Sequence, residues 1–168
     1  KKNGKYRLQD KLPSAEQYLT QTVDFKDRQT SNNDYYPSPI IRKKIDTSNG
    51  LIFFSEPLKE DMIINGAFTG EIVASINRRD MDFGITLYEL NSKGEYFHLS
   101  YVIDRASFSK DRSQRHLLEP HEMTRLTLPS TRMVSKQIKK GSRIVAYLNI
   151  NKNAFAQLNY GSGKDVSD

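Results

Sequence analysis

Between Leu51 and Ile150, apart from Asp104–His121, the chain runs in short stretches of alternating apolar and polar side chains, each closed by a turn within roughly ten residues. A side-chain period of two sets alternate residues on opposite faces of a strand, and no stretch here carries the competing helical period of 3.6. Leu51–Ser55 (LIFFS) is stopped by Glu56-Pro57. Ala67–Ile76 places Phe68, Ile72, Ala74 and Ile76 on one face, which is the expected core face. Asp82–Leu90 alternates again, Asn91-Ser92-Lys93-Gly94 turns the chain, and Glu95–Ile103 returns, so residues 82–103 are expected to form a β-hairpin. Glu122–Leu128 and Arg143–Ile150 are further strands, Met133–Ile138 is extended, and a last short strand is expected over Ala154–Leu158. Successive short strands without intervening helices call for an all-β fold, a sandwich of the jelly-roll kind.

The first fifty residues read as a lead-in that crosses the surface, giving a division into residues 1–50 and a β-sandwich over 51–168. Ser14-Ala15-Glu16-Gln17 has capping-box spacing and predicts one helical turn through Leu19. Thr20–Phe25 alternates like a strand, Asp27–Asp34 is turn-forming, and Pro37-Ser38-Pro39 directs the chain into an extended path.

Composition narrows the functional classes. The absence of cysteine removes disulfides, thiolate nucleophiles and Cys-type zinc sites, and it suits a reducing or an oxidising compartment equally. No apolar run reaches the roughly 18 residues needed to cross a bilayer, and no signal-peptide pattern opens the sequence as given, so no membrane partner is expected. The net charge of +6 is dispersed. Its densest cluster, Lys136–Arg143, is broken by Gln137, Ile138, Gly141 and Ser142 and reads as solvated surface rather than a nucleic-acid site.

Motifs that carry chemistry are missing. There is no G-x-S-x-G elbow, P-loop or G-x-G-x-x-G, and no cofactor is expected. Ser107-x-x-Lys110 matches S-x-x-K without its companion motifs. His98, His116 and His121 lack metal spacing, and His98 is expected on a strand surface. Asp80-Met81-Asp82-Phe83-Gly84 fails the calcium-loop pattern and reads as a solvated strand cap, with Arg78-Arg79 available to pair with its acids. Gly161-Ser162-Gly163 reads as a flexible exit. Taken alone, these residues point to a chain that is not an enzyme by itself.

Seven segments, in order, resemble the C-terminal non-catalytic domain of the X-prolyl dipeptidyl-peptidase and cocaine-esterase family of serine hydrolases. They are Leu51–Asp61 (LIFFSEPLKED) with Met62–Gly66; Ala74-Ser75; Asp80–Phe83 leading into Ile85–Glu89; Gly94–Ala106; Leu118–Glu122, where His121 stands in place of the family's glycine; Ile138–Ile150; and Phe155–Gly161. Tyr36–Pro39 is similar to the family's approach segment. The resemblance implies a galactose-binding-like jelly roll packed on a catalytic α/β-hydrolase domain of the same polypeptide, with homo-oligomer contacts. The parent protein would be an X-Pro peptidase, acyl esterase or glutaryl cephalosporin acylase. The family's triad lies outside the matched region, so no catalytic residue transfers.

The interdomain contact is expected at Tyr35, Tyr36, Arg105, Arg112 and Arg115. The arginines sit in Asp104–His121, the longest stretch without strand periodicity, and arginine pairs bidentately with carboxylates at interfaces. A mobile solvent loop is the alternative for that stretch. The competing function is a free-standing carbohydrate-binding β-sandwich, which would require an aromatic platform or a calcium site.

Overall fold

The computed structural model describes residues 5–27, 35, 37–153 and 156–165. Its elements are β1 (Lys5–Arg7), β2 (Ile41–Arg42), β3 (Gly50–Phe54), β4 (Met62–Gly66), β5 (Gly70–Ala74), β6 (Asp82–Leu90), β7 (Tyr96–Arg105), a 3₁₀ turn (Ala106–Phe108), β8 (Thr124–Leu128), β9 (Val134–Ile138) and β10 (Arg143–Ile150). Six strands make one sheet in the order β1-β3-β10-β6-β7-β2. Antiparallel pairs β4–β9 and β5–β8 form two short ribbons. The chain is an all-β sandwich.

The alternation along β10 shows how the layers are held. Ile144 and Ala146 pack with Leu87, Leu99 and Ile138, so they face the β4–β9 ribbon. Leu148 and Ile150 pack with Phe83, Leu126 and Ile72 and face the β5–β8 ribbon. Leu126 and Ile138 are fully enclosed, and burial of such side chains contributes roughly 1.5–3 kcal/mol each. The expected core face of Ile72, Ala74 and Ile76 is observed. The single expected strand over residues 67–76, however, is shortened to β5, residues 70–74. Residues 67–69 leave the ladder where Phe68 and Thr131 bond each other instead: Phe68 N donates to Thr131 Oγ1 at 2.9 Å and Thr131 N donates to Phe68 O at 2.8 Å.

The opposite face of the sheet is aromatic and polar. Val145 and Tyr147 of β10 pack there with Ile52 and Tyr88. Asn149 and Thr86 are fully buried beside them. Tyr35 covers the far end. Its ring stands where a Cβ on Gly84 would be, lies 5.4 Å from Tyr101, and its hydroxyl accepts a 3.3 Å bond from Asn149 Nδ2. The lead-in also supplies Ile45 to this layer, together with both edge strands, β1 parallel to β3 and β2 antiparallel to β7.

That cover explains one correction. His98 was expected at a strand surface but is 9% exposed, with its ring 5.6 Å from that of Tyr88 and 6.0 Å from that of Tyr101. Alternation identifies two faces without telling that both are covered. A register shift between Leu87 and Tyr88 adds a residue to β7, so that Leu87 faces Ser100 while Tyr88 faces His98.

Three lead-in expectations also change. Residues 14–19 form no helix, because every residue from Arg7 to Thr20 is exposed and one unpacked turn is unstable on its own. Thr20–Phe25 keeps its alternation, with Gln21, Val23 and Phe25 half-buried, but has no ladder partner and is not a strand. Around Pro37-Ser38-Pro39 the chain bends, and the Ser38–Pro39 peptide is cis. The turn segment 27–34 lies outside the described residues except for Asp27, and Ala154 and Phe155 lie outside them as well; no strand forms over residues 156–158.

Candidate functional site

The long Asp104–His121 stretch folds back on the loop before β6 and meets the C-terminal segment there. Ala106 N donates to Met81 O at 2.9 Å, Leu118 N to Arg79 O at 2.8 Å, and Arg79 N to Gly161 O at 3.0 Å. These backbone bonds set three segments side by side and bring three arginines to three aspartates.

Asp80 lies at the centre, with its side chain 0% exposed. Its Oδ1 accepts from Met81 N at 2.9 Å and Ser107 N at 3.0 Å. Its Oδ2 accepts from Ser107 Oγ at 2.8 Å and Arg115 Nη2 at 3.0 Å. Arg115 Nη1 continues to the C-terminal segment, donating to Lys164 O at 2.9 Å and Gly163 O at 3.4 Å. Asp82 takes a two-pronged bond from Arg105, Nε to Oδ1 at 2.7 Å and Nη2 to Oδ2 at 2.9 Å, while Asn159 Nδ2 donates to Oδ1 at 2.9 Å. Arg112 grips Asp104 in the same fork, with Nη2 2.9 Å from Oδ2 and Nη1 bonded to Oδ1. The bond to Asp82 moves the Arg105 guanidinium above its ordinary value, and the bond to Asp104 does the same for Arg112. Both cations are therefore held charged.

Gly161 is required where the C-terminal segment crosses this network. It has φ +72°, and a Cβ there would approach Asp80 O to 2.5 Å. The Gly161–Gly163 exit expected to be flexible is instead hydrogen-bonded into the corner. The expected solvated cap is corrected too. Asp80 and Asp82 are buried, and their partners are Arg115 and Arg105 rather than Arg78 and Arg79, which stay exposed. Neighbours in sequence lose to residues delivered by a long loop.

Arg105, Arg112 and Arg115 are thus each committed to an aspartate of this chain, although Arg112 keeps 49% of its side chain exposed. Tyr35 is buried in the chain's own sheet. Tyr36 lies outside the described residues. Beside the ion pairs is an open recess of about 260 Å³ lined by Asp82, Ile103, Asp104, Arg105 and Phe108, with Ile103 41% exposed. Sequence reading located the arginines but missed their carboxylate partners and Asn159, for which no local signal exists.

The arrangement is poorly suited to catalysis. The Ser107 hydroxyl donates its hydrogen bond to Asp80, a carboxylate already paired with Arg115, while Lys110 is exposed. Among the described residues no group of three or more His, Asp or Glu is placed to hold a metal ion. His121, exposed at the surface, has φ +71°, a left-handed conformation that glycine adopts without strain and that costs histidine a steric penalty.

The described residues thus form a β-sandwich stitched at one corner by buried ion pairs. Residues 2–146 match the family described as the X-Pro dipeptidyl-peptidase C-terminal non-catalytic domain, and the chain belongs to that family. Solved structures agree in fold. An aminopeptidase from a marine sediment Thaumarchaeota archaeon superposes with a TM-score of 0.62 at 22% identity, over 70% of this chain and 21% of that one. An α-amino acid ester hydrolase gives a TM-score of 0.62 at 19% identity, over 70% of this chain and 20% of that one. A CocE/NonD family hydrolase from Staphylococcus aureus gives 0.55 at 13% identity, over 73% and 27%. The chain therefore spans between a fifth and just over a quarter of these proteins. No curated protein matches the sequence.

Proposed function

We propose that this chain is the accessory β-domain of a larger serine hydrolase acting on amide or ester bonds, an X-Pro peptidase, esterase or acylase. It packs on the catalytic α/β-hydrolase domain of the same polypeptide, shapes access to the cleft and supports oligomer contacts. The observation that carries this reading is the family match over residues 2–146, joined to structural neighbours that are hydrolases several times longer than the matched part. The jelly-roll, galactose-binding-like description belongs to the same reading.

The corner of Arg105, Arg112 and Arg115, next to the Ile103–Phe108 recess, is the surface assigned to the interdomain contact. Internal ion pairing holds the arginines in fixed rotamers, so a partner carboxylate meeting the exposed side of Arg112 has little ordering left to impose. Charge reversal at Arg105 or Arg112 would break the fold's own pairs, so the cleaner probe is Ile103→Ser, which alters the recess alone. In the full-length parent it should lower the melting temperature and activity together; unchanged values remove this surface.

The reading as a whole is tested by peptide sequencing of the native product and by deleting residues 51–168 from it. A G-x-S-x-G elbow elsewhere in the product, with activity, stability or assembly lost on deletion, supports it. Full activity, stability and assembly after deletion would sink it.

A further inference from the structure

One segment lies exposed on the sandwich and is tied to it at its ends. From Arg7 to Thr20 every residue is exposed, with Leu12 94%, Tyr18 67%, Leu19 44% and Leu8 37% accessible. Among the described residues, the only side-chain hydrogen bond within residues 9–20 is local, Tyr18 Oη donating to Glu16 Oε2 at 2.8 Å. Yet the segment is tethered at both ends. Before it, β1 pairs in parallel with β3 and Leu8 N donates to Phe54 O at 2.8 Å. After it, Gln21 Nε2 donates to Asn49 O at 2.6 Å. Single exposed apolar residues are ordinary on a protein surface. Four on a strap held at both ends, whose side-chain hydrogen bonding among the described residues is local, form a surface presented for something else.

We infer that the strap, residues 8–20, is the primary docking element of this domain, and that its leucines and Tyr18 seat in an apolar groove on the catalytic domain of the same polypeptide. The inference rests on the accessory-domain reading above, and it names a contact that reading does not contain. The occupant follows from two observations. The chain covers only 20–27% of the hydrolases that share its fold, so in them the larger part of the polypeptide stands outside this domain. The strap also carries Asp10, Lys11 and Glu16, a nearly balanced set that favours neither nucleic acid nor an acidic surface and leaves apolar burial as the driving force. Fixing both ends beforehand removes much of the ordering entropy that a free segment would lose on docking.

Hydroxyl-radical footprinting of the native full-length protein tests this, with each residue's labelling rate compared with its rate after denaturation. Docking predicts strong protection of Leu12 and Tyr18, whereas Met133, 80% exposed on the body, is labelled in the native protein. Labelling of Leu12 and Tyr18 at the rates their exposure here implies overturns the inference. The double variant Leu12→Ser, Tyr18→Ser in the same protein should separate the melting of the two domains into distinct transitions; a single transition at the wild-type temperature also overturns it. Hydrolase activity in that preparation keeps the two readings apart. A parent with no hydrolase domain removes the accessory-domain reading, while an active parent with an unprotected strap removes only the strap's role.

Discussion

The arginine corner and the strap are two loops of one chain built on opposite terms. In the corner, residues 78–82, 104–118 and 158–164 satisfy one another: four donor groups converge on Asp80, and three on Asp82. In the strap, the backbone is tethered at its ends, the side chains are exposed, and among the described residues the one side-chain hydrogen bond within 9–20 is local. A polar loop without regular structure can thus be among the most rigid parts of a domain, when buried carboxylates give it partners. An apolar loop can lack internal support, when its partner lies in another part of the protein. The difference sets the expected response to mutation: large and intrinsic in the corner, small within this chain for the strap.

The largest effect is expected at Asp80. Asp80→Ala leaves Arg115 and Ser107 without their shared acceptor in a buried site, and removing one partner of a buried pair costs roughly 3–5 kcal/mol. Chemical denaturation of the 168-residue chain should show that loss, with the C-terminal segment becoming the first site of proteolysis. A loss under about 1 kcal/mol would mean the corner is solvated and the contrast with the strap is false. Next comes Gly161→Ala. The left-handed backbone and the approach to Asp80 O together should cost about 1–3 kcal/mol, and the Asp80→Ala background should not abolish that cost, because the obstructing atom is the backbone oxygen. Double-mutant analysis checks this directly.

How much of this was legible from sequence follows the same division. Strands β3, β6, β7, β8 and β10 could be read because their apolar and polar residues alternate, even where both faces of β6 and β7 are covered, and the Asn91–Gly94 turn carries its own chemistry. The break at residues 67–69 could not, because it depends on the Phe68–Thr131 pairing across the sheet. Arg105, Arg112 and Arg115 stood out as a cluster, but which carboxylate each would meet is set by loop 104–118 folding back over β6, and spacing does not encode that. Asp80 and Asp82 looked like a solvated cap because two adjacent arginines could have served them. His98 looked exposed because the sequence of β7 does not record that Tyr35 and the lead-in close the second face.

His121 offers a smaller test, of opposite sign. It holds a left-handed conformation at an exposed position where its side chain contributes little to packing. His121→Gly removes a steric cost of roughly 1–2 kcal/mol while adding unfolded-chain entropy, for a net gain of about 0.5–1 kcal/mol. A thermal melt of the chain should rise slightly. No change would mean that His121 N, which donates to Ile76 O at 2.7 Å, holds the turn regardless of the residue there.

The smallest effect on this chain, and the one that sharpens the comparison most, is the strap variant Leu12→Ser, Tyr18→Ser. Both side chains are exposed and among the described residues Tyr18 hydrogen-bonds Glu16 alone, so stability of the 168-residue chain should change by no more than about 0.5 kcal/mol. Tyr18→Ser also tests the local bond, since Glu16 holds the Tyr18 hydroxyl above its ordinary ionisation range. Residue-resolved NMR titration of the wild-type chain should show Tyr18 ionising late, as burial makes Tyr96 and Tyr147 do, and of these three only Tyr18 should move back toward the ordinary range in Glu16→Gln. The raised value favours the neutral phenol, so this bond weakens as pH rises above the ordinary tyrosine range, in a part of the chain on which folding does not depend. Alkaline conditions should therefore loosen the strap's local order before they disturb the corner, where the bonds to Asp82 and Asp104 raise Arg105 and Arg112 above the ordinary guanidinium value. If the strap variant destabilises the chain as much as Gly161→Ala does, the strap is an internal element after all, and the opposition between the two loops disappears.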